Sequence, residues 1–200
     1  MKIELFEHYP ALASQADALE KARDLLIFTY ERGGKLLLCG NGGSAADCDH
    51  IAGELLKGFA SKRELACELR AALGEDLASR LQMGLPAISL PSQGAIISAF
   101  CNDVDAATVY AQLTLALAKK GDVLMCISTS GNSENVVAAA RVAKALGVFV
   151  IGMVGERTCA LDDLCDVVLH APDTMTYRVQ EYHLPMYHWL CAEVEHYFFG

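Results

Sequence analysis

No stretch of this 200-residue chain approaches the roughly 20 apolar residues that a bilayer-spanning helix needs, the run "VFVIGMV" from Val148 being typical of the longest. A membrane helix is therefore not expected. Positive charge is scarce: 16 Lys and Arg stand against 25 Asp and Glu, leaving a formal charge of −9. Such a surface has no broad attraction for nucleic acid or an anionic membrane, so any anionic ligand must be held locally. Among eight cysteines there is no CxxC pair of the kind that marks a structural zinc site, and the opening "MKIELFEHYP" has acidic residues where a secretory leader needs an apolar run. The cysteines are expected to be reduced and the protein cytoplasmic. Cys39, Cys126 and Cys191 lie inside apolar runs as small hydrophobes, and none is assigned a catalytic role. No low-complexity linker interrupts the chain, so residues 1–200 read as a single domain, and 53% hydrophobic content suffices for a full core.

What is present is an alternation. Apolar runs recur at 35–39, 86–90, 122–127, 148–153 and 166–170, each short enough for a strand buried on both faces. Helical patterns at about 44–57, 63–83, 105–119, 133–146 and 177–198 lie between or after them. An earlier helix, from about 11 to 32, places Leu12, Leu19, Ala22, Leu25, Leu26 and Thr29 on one face and ends at Gly33-Gly34. The fold class is α/β, a three-layer αβα sandwich around a five-stranded parallel sheet. In 63–83, Leu65, Leu69, Leu73, Leu77 and Leu81 repeat every four residues between charges, which predicts one amphipathic packing or subunit-interface helix.

Two segments echo one another. "GGKLLLCGNGGSAADCDHI" and "KGDVLMCISTSGNSENVVA" each run from glycine and charge through an apolar strand to a loop of Gly, Asn and Ser, then a helix. Open α/β sheets bind ligands at such crests on the carboxyl ends of their strands, and uncapped N–H groups at a helix start attract anions. Gly40, Gly42 and Ala45 satisfy G-x-G-x-x-A, but the charged 63–83 region occupies the place where a dinucleotide fold would put its ribose-binding acid, so no nucleotide cofactor is expected. The second crest packs Ser128, Thr129, Ser130 and Ser133 into six positions. Ordinary capping of the following helix by Asn132 or Ser133 needs only one of these, so the set, joined by Ser44 on the first crest, suits a phosphate held by hydrogen bonds with no Walker lysine.

His50 and Glu54, four residues apart, share a helix face, a spacing that serves zinc or proton transfer as well as an ordinary surface pair. The C-terminal "YRVQEYHLPMYHWL" adds Gln180, Glu181, His183 and His188, with Pro185 placed to bend the helix. Histidines on an apolar helix are more often core than ligands, and spacing alone does not separate the two.

Taken together, "CGNGGSAADCDHIAGEL", "ISTSGNSENV" and "RVQEYHLPMYHWL", with "CNDVDAATVYAQ" as a looser match, resemble the SIS (sugar isomerase) domain family and, within it, the phosphoheptose isomerases. The motifs spread over roughly residues 36 to 190 and come in the family's order. The resemblance implies a flavodoxin-like homotetramer with active sites near subunit interfaces. Its activity would convert sedoheptulose 7-phosphate into D-glycero-D-manno-heptose 7-phosphate. It further implies that Ser44, Ser128, Ser130 and Ser133 hold the phosphate, with Thr129 and Asn132 shaping the loop. Asn41, Gly42, Gly43, Asp103 and Gln180 would line the sugar site, Glu54 would act as base and His188 as acid. Some members hold zinc at the positions of His50, Glu54, Gln180 and His188.

The sequence departs from the family at Gly58, where an arginine is usual and Lys57 lies one place earlier. Tyr177 replaces a small or acidic residue, and the 63–83 connection is longer. The alternative reading is a non-catalytic SIS module that binds a phosphosugar or a protein partner, such as a replication initiator.

Overall fold

A computed structural model describes residues 4–200. Five strands, β1 (Leu36–Gly40), β2 (Ala87–Ser89), β3 (Val123–Ile127), β4 (Phe149–Val154) and β5 (Val167–His170), form one fully parallel sheet in the order β2-β1-β3-β4-β5. Every residue of β1 and β3 is buried, as their unbroken apolar runs require.

Successive strand residues face opposite sides, so the sheet has two cores. Leu36, Leu38, Met125, Ile127, Ile151 and Met153 pack beneath α2 (Ala16–Glu31), α3 (Gly43–Leu56) and α9 (Thr176–Phe199). Leu37, Cys39, Leu124, Cys126 and Val150 meet α7 (Val109–Leu117) and α8 (Glu134–Leu146) on the other side. The chain ends α8 in the left-handed conformation at Gly147, φ 70°, where the Val148 N–H bonds back to Ala143. The expected three layers and five parallel strands are all present.

Three local expectations differ. The predicted first helix opens as a 3-10 segment, Pro10–Gln15, before α2; a four-residue turn, α1 (Leu5–His8), precedes it, and residues 1–3 lie outside the described ones. The single helix expected over 63–83 is two short ones, α4 (Cys67–Leu73) and α5 (Glu75–Ala78), parted by Gly74 at φ 78°. Leu65 is buried, whereas Leu69, Leu73, Leu77 and Leu81 remain exposed, so most of the leucine repeat finds no cover among the described residues. Finally, α6 (Gly94–Asp103) was not anticipated: it fully buries none of its residues, and only Ile97 and Phe100 pack against the core. The helix expected from 105 begins as a 3-10 turn at Ala106–Thr108. In α9, Pro185 is accommodated within one uninterrupted element.

Candidate active site

The two crests lie side by side because β1 and β3 are neighbours in register, Gly40 opposite Ile127. The first turns at Gly42, φ 57°, a conformation that favours glycine, and enters α3 without a side-chain cap. A Cβ at Gly43 would meet the Gln180 amide nitrogen at 2.5 Å, so with glycine here the Gln180 side chain of α9 rests against the first crest. Ser44 is buried in the first turn of α3.

On the second crest, Ser133 occupies the N-cap position of α8, yet its hydroxyl makes no capping bond. It pairs instead with Ser128 Oγ at 3.0 Å. Capping by this side chain, expected from sequence, is therefore not its role. Nor does Asn132 cap the helix: its amide donates to Ser130 O at 2.9 Å and its carbonyl oxygen accepts from Ala160 N at 2.9 Å, which holds the loop's shape. Ser130 Oγ accepts from Asn132 N, and Thr129 O accepts from Gly155 N. A cavity of about 200 Å³ opens beside this crest, lined by Thr129, Ser130, Asn132, Arg157 and Thr176.

Asn41 and Asn135 join the crests, Asn41 Nδ2 donating to Asn135 Oδ1 at 2.8 Å and Asn135 Nδ2 returning a bond to Asn41 Oδ1 at 3.0 Å. Tyr110 supports the first crest from below by donating to Gly40 O at 2.7 Å.

The second group of predicted residues gathers further along α3, about 15 Å of helical rise from Ser44 to Glu54. His50 Nε2 lies 3.2 Å from Glu54 Oε1 and 3.5 Å from His188 Nε2. Lys57 Nζ holds the other Glu54 oxygen at 3.1 Å, and the Phe59 ring lies tilted against His188 with centroids 5.5 Å apart.

Behind His50 runs a relay: Nδ1 is 2.9 Å from Tyr187 Oη, whose hydroxyl donates to Asp47 Oδ1 at 3.3 Å. Burial raises the Tyr187 pKa, with Asp47 adding to it, so the phenol keeps its proton. The network therefore assigns the Nδ1–H tautomer to His50 and aims its Nε2 at Glu54 and His188. Burial and the neighbouring His50 hold His188 below the ordinary imidazole range against the pull of Glu54. At neutral pH it is a neutral imidazole.

An imidazole nitrogen facing a carboxylate and a second imidazole calls for a proton or a cation between them. A tetrahedral zinc site with 2.0–2.1 Å bonds has ligand-to-ligand edges of about 3.3–3.4 Å, close to the two spacings around His50. The Tyr187–Asp47 relay is the kind of outer support that fixes a ligating histidine. The three side chains are of types that ligate zinc, but among the described residues no group of three His, Cys, Asp or Glu is placed so as to hold a metal ion.

The structure does not bring Asp103 to either group. It ends α6, where it accepts from Asn102 Nδ2 at 2.7 Å. Sequence reasoning missed Asp47, Tyr187 and Asn135, and noted Lys57 only as a departure from the family pattern. Asp47 and His50 are three apart on one helix face and Tyr187 adjoins His188, a juxtaposition that spacing could have suggested.

With this geometry, the chain matches the SIS domain model over residues 8–76 and 63–155. The chain belongs to the SIS domain family. Within it, the phosphoheptose isomerase of Burkholderia pseudomallei is 40% identical over 182 residues, covering 91% of this chain and 83% of the relative. The phosphoheptose isomerase of Helicobacter hepaticus is 40% identical over 178 residues, 89% of this chain and 81% of its own. Among solved SIS structures, phosphoheptose isomerase from Neisseria gonorrhoeae superposes with a TM-score of 0.79 at 29% identity, covering 94% of this chain and 91% of that one. This SIS chain therefore groups with the phosphoheptose isomerases.

Proposed function

We propose that the chain is an aldose–ketose isomerase of phosphorylated sugars, interconverting sedoheptulose 7-phosphate and D-glycero-D-manno-heptose 7-phosphate. The observation that carries this reading is the convergence of Glu54, His50 and His188, in a chain whose relatives at 40% identity are phosphoheptose isomerases. The same convergence disfavours a non-catalytic module, which has no use for a supported carboxylate–imidazole pair.

The chemistry follows from the groups present. The Glu54 carboxylate takes a proton from C1 of the ketose, and the C–H electron pair becomes the C1=C2 bond of an enediol. The C2 oxygen receives a proton from the neutral His188 imidazole as the carbonyl bond opens. Collapse in the other direction returns the Glu54 proton to C2, while the C1 hydroxyl proton passes to His188 and leaves the aldehyde. The serine-rich crests hold the phosphate at the far end and fix the register of the carbons.

We propose a homotetramer with active sites near subunit interfaces. Exposed Phe28 and Tyr197, lining a groove of about 390 Å³ between α2 and α9, supply apolar surface for such contacts.

His50, Glu54 and His188 are proposed to hold one zinc, whereas Gln180, the fourth ligand expected from the resemblance, lies with its amide against Gly43 at the first crest and apart from these three. When bound, the ion polarises a substrate oxygen and makes Glu54 a weaker base. A cytoplasmic location is proposed as well: all eight cysteines are free, which supports a reducing compartment. No helix among the described residues is long and apolar enough to cross a membrane.

The test is a panel of ketose phosphates of five to seven carbons incubated in deuterated water. Deuterium should enter the carbon beside the carbonyl of the heptulose phosphate as the aldose appears. A panel in which no sugar exchanges would overturn the reading.

A further inference from the structure

Arg63 and Glu195 form an ion pair at 2.8 Å with side-chain exposures of 0% and 2%. Charges so buried lose their hydration, and replacing such a pair with apolar groups commonly costs nothing in stability, so stability is a poor reason for it to be there. Its hydrogen bonds indicate another. The Arg63 guanidinium donates to the main-chain oxygens of Leu55 and Glu54, the last turn of α3, where a cation also meets the negative end of the helix. Glu195 accepts from the N–H groups of Phe59 and Ala60, both at 2.7 Å, and of Ser61 at 3.1 Å. Burial pushes the Glu195 carboxyl up, but the N–H groups of Phe59 and Ala60 and the Arg63 guanidinium outweigh it and hold it below the ordinary range. The Phe199 ring covers the guanidinium 5.0 Å away.

The pair therefore touches each element that carries reacting groups. It grips the main chain of Glu54 itself. It orders the loop whose Phe59 lies against His188. Glu195 sits on α9 two turns beyond His188, on the same face of that helix. We infer that Arg63 and Glu195 are positioning residues, a buried ionic clamp that fixes the base on α3, the acid on α9 and the intervening aromatic relative to one another. This rests on the isomerase reading above and deepens it: neither residue touches the sugar, and neither reaches the phosphate-holding crests.

A device of this kind acts on turnover more than on capture, because small displacements of base and acid slow proton transfer while the phosphate grip is unaltered. Three variants of the intact protein test it: Glu195→Gln, Arg63→Lys, and the double change Arg63→Met with Glu195→Leu. Val150→Ala, a truncation on the opposite face of the sheet, serves as a control of comparable destabilisation. Folded clamp variants should lose at least 30-fold in kcat with KM within twofold of wild type, and the double variant should regain thermal stability without regaining kcat. The control should lose stability and keep kcat within twofold.

Hydrogen exchange at the amides of residues 59–61 should quicken in Glu195→Gln, which requires no turnover. Wild-type kcat in the double variant, or in either single variant, would overturn the clamp, as would unchanged exchange at those amides. A wild-type protein that isomerises no sugar phosphate would defeat the isomerase reading alone, leaving the exchange measurement to judge the clamp.

Discussion

Asn41 and Asn135 exchange two amide hydrogen bonds, at 2.8 and 3.0 Å, across the gap between the crest of β1 and the start of α8. Each amide gives one N–H to the other and accepts one in return, which ties the two crests together.

Replacing Asn135 with Asp keeps the acceptor for Asn41 Nδ2 and deletes the returning donor, while adding a negative charge beside an anion site. A lost hydrogen bond of about 1.4 kcal/mol corresponds to tenfold in binding. KM for a phosphorylated ketose should rise about tenfold or more, with a smaller change in kcat. Steady-state kinetics at fixed ionic strength measure this, and an unaltered KM would show the crests to be independent.

Glu54→Gln retains shape and removes the proton acceptor. Turnover should fall by roughly 10²–10⁴, while calorimetric affinity for the sugar phosphate stays within a few-fold. Full activity would disqualify Glu54 as the base.

Ser130→Ala removes a hydroxyl from the second crest together with the acceptor for Asn132 N. Affinity for phosphorylated sugars should drop several-fold to tenfold, and a sugar without phosphate should show no difference between variant and wild type.

Zinc removal is informative through metal content as well as rate. Dialysis against a chelator should lower kcat and the melting temperature, and stoichiometric zinc should restore both. His50→Gln should abolish zinc retention measured by elemental analysis. Purified protein that binds no zinc under any of these conditions would remove the metal from the proposal.

His183 predicts an acid limb in stability. It is fully buried, with Nε2 3.2 Å from Val154 O and Nδ1 without a partner among the described residues, and burial drives it down to about 4. The unfolded chain takes up a proton near 6.5 and the folded chain only near 4, so stability is complete above about pH 6.5 and declines as pH falls between these values. The loss amounts to about 3 kcal/mol. Denaturant midpoints measured from pH 7 to 4.5 should show it, and His183→Leu should flatten the slope.

The sheet was legible because each strand is an unbroken apolar run and each crest is announced by glycine, which reflect local constraints that a sequence states openly. The helices that were misjudged carry no such statement. The leucines from 65 to 81 have helical spacing, but Gly74 divides them and only Leu65 is buried; α6 fully buries none of its residues and leans on the core through Ile97 and Phe100 alone. At the site, His50, Glu54 and His188 could be named from spacing and resemblance. The relay through Tyr187 to Asp47 was hinted at by spacing within each helix, but the Asn41–Asn135 link and the Arg63–Glu195 pair could not be named, since each joins positions far apart in the chain through side chains that only tertiary packing brings together.

Gly43 and Gln180 meet where the second turn of α9 lies beside the first crest. A methyl group at residue 43 would meet only the far end of a flexible side chain, so the Gln180 amide would swing aside while the helix kept its course. The bare position thus reserves a berth for that amide at the crest, and a substitution there would read out locally at Gln180.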